Sequence, residues 1–362
     1  MKSPRTKAAA LAVAVALLAA CGDDSEPDAE TSGTTAASSD DVVRVVTHES
    51  FALSDEVLDA FTSETGIEVE LLLGEDAGSV VNQAVITRDR PQGDVLFGID
   101  TTFLTRGLDA DLFEPYESPA LAGVPAAFQV DDQHRVTPVD VGDVCLNYDR
   151  AYFAADGAPP LPTGFADLTD PAYRDLLVVE DPAASSPGLV FLAGTVAELG
   201  ADGWEQYWSD LRANGVAVAD DWTDAYYGRF SGGATSEGDR PLVVSYASSP
   251  PAEVVFSDPP VDEPPTGVIE GTCVRQIEYA GVLAGAEHPD AARAFIDFLL
   301  SPAVQADLPL SMFVFPAVEG TPLPDVFEAH APVPAEPVTI DPFEFGAERD
   351  ELIERWSELV LG

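Results

Sequence analysis

Lysine is almost absent from this sequence. The two lysines it contains are Lys2 and Lys7. Both precede residue 21, so a chain that loses an N-terminal signal carries none. Such a chain cannot use a phosphate-loop lysine, a Schiff-base lysine or a kinase-type lysine.

Other patterns that carry catalysis are also missing. No GxSxG nucleophile elbow occurs, and the four histidines form no HExxH pair. They are His48, His134, His288 and His330. We therefore predict no metal, no cofactor and no enzymatic activity. A secreted hydrolase using two carboxylates remains open, although 64 acidic residues make chance pairs unavoidable.

Positive charge is scarce as well. Lys and Arg total 17 against 64 Asp and Glu, which gives a formal net charge of −47. Such a surface repels nucleic acid and anionic lipid, so neither is expected as a partner. A cationic ligand fits this charge, but so does an acidic surface adapted to a salty or extracellular setting.

The N-terminus indicates export. Residues 1–20 combine a basic start with an apolar run that is too short to anchor in a bilayer, which predicts a signal peptide. The run ends in LAAC and resembles a bacterial lipoprotein signal, in which the cysteine, here Cys21, is lipidated. An ordinary cleaved signal with an incidental cysteine is the alternative. Residues 21–41 lack apolar periodicity and predict a lipid-anchored flexible tether on the outer face of the cell membrane.

The body from residue 42 is long enough for two lobes with separate cores. VVRVVT, IEVELLLG and GDVLFGID predict strands separated by helices, a pattern typical of a parallel sheet covered by helices. A second α/β region follows, in which SSPGLVFLAGTVAELG predicts a helix that begins at Ser185 and Ser186. Ligands of such sheets bind at the carboxyl ends of strands.

Two cysteines remain in the body, Cys145 and Cys273, each within an apolar, strand-like run. An even pair in an exported protein favours a disulfide over two free thiols. Free thiols stay possible because geometry decides pairing.

The stretch ADDWTDAYYGRF, residues 219–230, combines aromatic surface with negative charge. Trp222, Tyr226 and Tyr227 stand among three aspartates. The stretch could be a packing edge of a helix, a metal site or a floor for a flat ligand.

The order of motifs resembles the periplasmic-type solute-binding proteins of ABC importers. AARAFIDFLLSPAVQ is widespread in the iron, polyamine and thiamine group of that superfamily. HESFA, LLLGEDAGSVVNQ, DVLFGIDTT, DPAASSPGL, DDWTDAYYGRF and LVVSYASSP, in this order, are similar to the thiamine-binding members. The resemblance covers about 300 residues.

The resemblance implies a two-lobed α/β fold, in which each lobe is a mostly parallel sheet with helices on both faces and the ligand lies in the cleft. Lobe 1 would comprise residues 42–140, with 274–310 returning to it. Lobe 2 would comprise residues 141–273, with 311–362 packing on it. The implied partners are thiamine or a thiamine phosphate and a membrane permease, and we expect a monomer.

The resemblance also implies ligand contacts in both lobes. Aromatic contacts would come from Trp222 and Tyr226, and cleft contacts from Tyr246 and Ser248. The loop that begins the helix would take the hydroxyl or phosphate end of the ligand. Acidic contacts would come from the first lobe. The residues of this loop are Ser185, Ser186 and Gly188. The acidic residues are Glu49, Asp76 and Asp100.

Ferric iron and polyamines are the alternative ligands within this superfamily. Adjacent tyrosines such as Tyr226 and Tyr227 can serve as phenolate ligands of Fe³⁺, which favours oxygen donors. Trp222 would have no role around a small metal ion. Tyr227 is therefore the residue at which the iron and thiamine interpretations differ.

Overall fold

The structure is a computed structural model, and it describes residues 41–362. The predicted signal peptide, Cys21 and almost all of the tether lie outside these residues. The strands, in chain order, are β1 (Val42–Thr47), β2 (Glu68–Leu73), β3 (Val95–Asp100), β4 (Thr137–Val141), β5 (Val144–Asp149), β6 (Leu177–Glu180), β7 (Ala217–Ala219), β8 (Leu242–Tyr246), β9 (Thr266–Val274), β10 (Ile277–Val282) and β11 (Phe315–Pro316).

Helices connect and cover these strands. They are α1 (Asp55–Thr65), α2 (Ala77–Ile86), α3 (Leu104–Asp109), α4 (Arg150–Phe153), α5 (Ser186–Leu199), α6 (Trp204–Ala213), α7 (Ser249–Val255), α8 (Pro289–Leu299), α9 (Pro302–Ser311), α10 (Asp325–His330) and α11 (Pro342–Val360). Four short 3₁₀ helices and a π-helical turn, Asp224–Arg229, complete the described part. Among residues 41–362, no helix is long and apolar enough to cross a membrane.

The strands form two sheets. The first has the order β11-β4-β10-β3-β1-β2 and the second β7-β6-β8-β5-β9. This confirms the α/β fold class with two sheets. The sheets are mixed, however, where mostly parallel sheets were predicted. In the first sheet β10 runs antiparallel to β3 and β4, and in the second β5 runs antiparallel to β8 and β9.

Short connections between the sheets explain the mixed direction. Only Gly142 and Asp143 separate β4 from β5, and only Arg275 and Gln276 separate β9 from β10. The chain enters the second sheet at the start of β5 and leaves it at the end of β9, so the neighbouring strands β4 and β10 run in opposite directions, and so do β5 and β9. The Arg275 guanidinium donates to the Asp143 carboxylate and ties the two connections together.

The start of the C-terminal helix is set by its N-cap residue. The sequence pattern predicted a helix from about residue 347, whereas α11 begins at Pro342. The Asp341 side chain accepts hydrogen bonds from the backbone N–H groups of Phe343 and Glu344, and proline is favoured at the first helical position. The helix therefore starts a turn earlier.

The predicted disulfide is confirmed. Cys145 and Cys273 are bonded, at a sequence separation of 128. Both lie in adjacent strands, β5 and β9, and both are buried. The bond closes a long loop of the chain within the second sheet. It lies at the end of the sheet near the connections between β4 and β5 and between β9 and β10.

Candidate ligand cavity between the strand ends

A cavity of about 140 Å³ lies where strands of both sheets end. Its lining residues follow β1, β2, β6, β7 and β8, which is where α/β sheets bind ligands. Six of the ten predicted contacts line it: Glu49, Asp76, Ser186, Trp222, Tyr226 and Tyr246. The structure thus brings together side chains separated by almost 200 residues.

Aromatic rings form one wall. The Trp222 and Tyr226 rings stack with centroids 5.2 Å apart and an interplanar angle of 21°. Trp222 Nε1 donates to Ser245 Oγ at 2.9 Å, which fixes the orientation of the indole. Tyr246 lies 6.5 Å from the Trp222 ring. Because Tyr226 covers one face of the indole, a flat ligand would stack on the other.

Tyr226 supports this wall from beneath. The side chain is only 2% exposed, and its hydroxyl donates to Glu253 Oε1 at 2.9 Å. Burial raises the pKa of Tyr226 well above its ordinary value, and the Glu253 carboxylate raises it further. Burial, with a contribution from the same carboxylate, also raises the pKa of Tyr227. Both phenols therefore resist ionisation.

The cavity is acidic. Among the described residues that line it are four carboxylates, and none is an arginine or lysine. The carboxylates are Glu49, Asp76, Glu253 and Glu278. Glu49 Oε1 accepts from Thr223 Oγ1 at 2.7 Å, so it joins the turn after β1 to the aromatic stretch. This environment favours a cationic ligand.

Asp76 lies at the N-terminus of helix α5. Its Oδ1 accepts from the backbone N–H of Ser186 at 2.9 Å. Burial raises the pKa of Asp76, although this hydrogen bond and the charge of His48 act in the opposite direction. A residue from the first sheet thereby contacts the helix that follows the second sheet's β6.

His48 also lies in the cavity wall. Its Nε2 lies 3.4 Å from Glu278 Oε1. Burial lowers the pKa of His48, but the Glu278 hydrogen bond and charge, with the charges of Asp76 and Glu49, outweigh it and leave the pKa raised. Glu278 pairs with Asp140 across β10 and β4, and burial together with the Glu278 charge raises the pKa of Asp140 well above its ordinary value.

Asp100 and Ser185 do not line the cavity. Asp100 is fully buried and accepts hydrogen bonds from Thr102, Phe103, Ser186 and Gln276. Its carboxylate joins the end of β3 to the start of α5 and has no free direction for a ligand. Ser185 is buried as the N-cap residue of α5.

Gly188 and Ser248 also lie outside the cavity wall. A Cβ at Gly188 would come 2.8 Å from the Glu180 carbonyl oxygen, so this glycine allows α5 to approach β6. Ser248 is buried, and its hydroxyl donates to the Phe313 carbonyl at 2.5 Å. Phe313 has φ of 56°, an uncommon conformation for a residue other than glycine. The next residue, Ser249, lines the cavity in place of Ser248.

Several lining residues were not among the predicted contacts. They are His48, Thr223, Tyr227, Ser249, Glu253, Phe256, Glu278 and the segment from Met312 to Val314, together with smaller neighbours. Thr223 and Tyr227 lie inside the stretch that was singled out, so proximity in sequence could have found them. Glu278 lies within β10, whose six residues are all buried, so its position in the sequence gave no signal that it reaches the cavity.

The described residues hold no metal cluster. Within 41–362, no group of three His, Cys, Asp or Glu side chains is arranged to bind a metal ion. Tyr227 is 43% exposed, and its ring meets Trp222 edge to face, with centroids 5.5 Å apart. The two adjacent phenols are thus engaged by neighbouring rings and Glu253.

The two-sheet fold and the acidic, aromatic cavity define a protein that binds a small solute. Residues 93–337 match the family model of bacterial extracellular solute-binding proteins, and the chain belongs to this family. It is a binding protein rather than an enzyme, as predicted.

Known relatives share most of its length. The thiamine-binding periplasmic protein of Escherichia coli is 28% identical over 324 residues, which cover 88% of this chain and 93% of the relative. Iron uptake protein A2 of Synechocystis is 24% identical over 257 residues, covering 68% and 71%. A solved periplasmic thiamin binding protein matches with a TM-score of 0.76 at 26% identity, covering 88% of this chain and 96% of that one.

Proposed function

We propose that this protein binds thiamine outside the cytoplasm and delivers it to the membrane permease of an ABC importer. The observation that carries the proposal is the Trp222 indole beside four carboxylates in a cavity whose lining contains no arginine or lysine. An aromatic face next to anionic groups is suited to a ligand that is both flat and cationic.

Thiamine has these two properties. Its aminopyrimidine is flat and its thiazolium carries a permanent positive charge. A cation over an aromatic face gains about 0.5–2 kcal/mol, depending on desolvation. The carboxylates add Coulomb attraction. The binding requires no covalent chemistry, in keeping with the lack of a catalytic motif. The names of the Escherichia coli relative and of the solved structure support the same ligand.

Ferric iron is the second candidate, and the Synechocystis iron uptake protein supports it. Against it, the Tyr226 hydroxyl donates to Glu253, a hydrogen bond that a phenolate ligand of Fe³⁺ would have to give up, and the Trp222 indole would have no role around a small metal ion. A polyamine would use the carboxylates and place an ammonium group over the indole, but it has no flat ring to stack there.

The wider transport role also belongs to the proposal. Ligand contacts from both lobes would favour a closed state, which docks on the permease. Lobe 1 would consist of residues 42–140 and 274–310, and lobe 2 of residues 141–273 and 311–362, apart from β11, which pairs with β4 in the first sheet and so belongs with lobe 1. Lipid on Cys21 would hold a monomeric protein near the importer, and residues 21–41 would set its effective concentration.

Calorimetric titration tests the ligand. We expect thiamine to bind far more tightly than spermidine or ferric citrate. Thiamine binding no tighter than millimolar would refute the proposal. An absorbance band in the visible range on addition of iron would instead support a tyrosinate site.

Lipid attachment has its own test. Cells that express the full chain are grown with a labelled fatty acid, and the Cys21→Ser variant serves as the control. We expect label on the wild type only, and release of the variant into the soluble fraction. Equal membrane retention of both proteins would contradict the anchor.

A further inference from the structure

A row of three carboxylates crosses the first sheet beside the cavity. In the strand pairing, Glu278 of β10 lies opposite Asp140 of β4 on one side and opposite Asp100 of β3 on the other. Residues paired across neighbouring strands point to the same face of a sheet, so the three acidic side chains are neighbours. Asp100 and Asp140 are 0% exposed and Glu278 is 7% exposed, and of the three only Glu278 lines the cavity.

The three carboxylates differ in the donors that they receive. Asp100 accepts five hydrogen bonds, from the turn that follows β3, from Ser186 and from Gln276. Asp140 receives none, since within residues 41–362 no donor reaches either of its carboxylate oxygens. A buried polar group without a partner is rare in native proteins, because it loses its hydrogen bonds to water and gains none in return.

One proton between Asp140 and Glu278 removes this deficit. Two ionised carboxylates accept hydrogen bonds but donate none, so they repel each other, whereas a protonated carboxyl group donates to its neighbour. Burial of Asp140 and the charge of Glu278 both raise the pKa of Asp140 well above its ordinary value, in the direction that keeps this proton. The two side chains then titrate as a pair.

Other ionisable groups surround the pair. His48 Nε2 lies 3.4 Å from Glu278 Oε1, on the side of the cavity. Burial, and then the charge of Glu278, raises the pKa of Tyr246 well above its ordinary value, so this group stays a neutral phenol. On the other side of β4, β11 places a proline opposite Asp140. The further carboxylates around His48 and Tyr246 are Glu49, Asp76, Asp100 and Glu180.

A cation in the cavity favours loss of the shared proton. It would lie beside Glu278, and attraction between opposite charges stabilises the ionised form of the pair. Because Glu278 borders the cavity, the proton has a route to solvent. The effect is reciprocal, since a ligand that lowers the affinity for a proton is itself bound less tightly when the proton is present.

We infer that Asp140 and Glu278 share one proton before the ligand binds, and that a cationic ligand displaces this proton into solvent. Binding therefore releases a proton, and the affinity falls as the pH is lowered, because protons then compete with the ligand for the pair. Asp140 acts from outside the cavity, through Glu278. The inference rests on the proposed function for the identity of the cation.

Calorimetry with thiamine counts the protons released. Binding enthalpies are measured at pH 6, 7 and 8, each in two buffers that differ in their enthalpy of ionisation, and the difference between the buffers gives the number of protons. We expect a net release of up to one proton. Kd should decrease as the pH rises, by at most about tenfold per pH unit for a single proton.

Asp140→Asn tests the pair directly. Asparagine has the shape of aspartate and carries a permanent donor for Glu278, so no proton needs to be shared. Proton release should fall to near zero, and the variant should bind thiamine at pH 6 at least as tightly as the wild type does. Asp239→Asn changes the same kind of group at a side chain that is 92% exposed, and it should release as many protons as the wild type. Urea unfolding confirms that each variant is folded.

Two further measurements identify the group that loses the proton. His48→Gln removes the imidazole beside Glu278 and keeps both carboxylates, so proton release should persist whatever happens to the affinity. Carbon-13 NMR of the protein without ligand should show a carboxyl resonance that titrates well above the range of an ordinary aspartate. This resonance should be missing in Asp140→Asn.

The outcomes separate this inference from the proposed function. A wild type that binds thiamine without releasing a proton at any of the three pH values overturns the inference and leaves the proposed function in place. Release that persists in folded Asp140→Asn, or that His48→Gln abolishes, assigns the proton to another group and also overturns it. A protein that does not bind thiamine overturns the proposed function, and an Asp140 carboxyl that titrates like an ordinary aspartate then overturns the shared proton independently.

Discussion

Replacement of Trp222 by alanine removes the stacking surface of the cavity. The indole would stack on the ligand's flat ring and lie against its cation. An aromatic pair contributes about 0.5–1.5 kcal/mol and a cation over an aromatic face about 0.5–2 kcal/mol. A loss of about 1–3 kcal/mol corresponds to an increase in Kd of about 5- to 150-fold.

Two measurements test the Trp222→Ala variant. Calorimetry measures Kd, and tryptophan fluorescence reports the contact itself, since the remaining tryptophans lie outside the cavity lining. Trp208 and Trp356, for example, pack edge to face with centroids 5.4 Å apart in the core. Ligand should quench the wild-type signal, and Trp222→Ala should abolish the quenching.

Trp222→Phe is the control for this prediction. Phenylalanine keeps an aromatic face but lacks the donor that binds Ser245 Oγ, so it should retain most of the affinity. Urea unfolding detects any loss of stability from the exposed Tyr226 ring. A folded Trp222→Ala protein with Kd within twofold of the wild type would refute the stacking role.

Three further predictions concern the surroundings of the cavity. Because the pKa of His48 is raised, its pairing with Glu278 should stabilise the fold below pH 6.5, and this stabilisation should be lost as pH rises through the folded-state pKa. NMR titration should show a lower pKa for His48 in the Glu278→Gln variant than in the wild type. Replacing Cys145 and Cys273 by alanine should lower the free energy of unfolding by about 2–5 kcal/mol, measured in urea without reductant. Gly188→Ala should cost about 1–3 kcal/mol, because its Cβ would meet a carbonyl of β6.

Each of these three predictions has a result that would contradict it. An unchanged pKa of His48 in Glu278→Gln would mean that other carboxylates are responsible for raising it. Equal unfolding midpoints with and without the disulfide would show that the loop it closes is already constrained in the unfolded chain. A Gly188→Ala protein as stable as the wild type would show that α5 can move away from β6 without loss.

Local signals were reliable wherever they depend on neighbours in sequence. The strand Val42–Thr47 was predicted with its observed bounds, since alternating β-branched residues end at a turn. The helix after β6 begins at the predicted serines, because proline in the first turn favours a helix start there, although Ser185 makes no side-chain capping bond. The aromatic stretch was found by composition alone.

The geometry gives structural roles to some of the predicted contacts. Asp100 ends a strand, as expected, but its carboxylate accepts hydrogen bonds from Ser186 of α5 and from Gln276. Gly188 matches a motif of ligand-binding loops, yet the distance to Glu180 explains its presence by packing. Motif position identifies the neighbourhood of a site, while the direction of each side chain depends on partners far away in the chain.

The sequence by itself determined the α/β class, favoured a disulfide between Cys145 and Cys273 and indicated the region of the candidate site, because these depend on periodicity, residue type and strand ends. Only the tertiary structure decided which groups meet. It placed Glu278 beside Asp140 and opposite His48, and it placed Asp76 at the N-terminus of α5. Sheet register and the close approach of two backbones bring these residues together, and neither is encoded in the spacing along the chain.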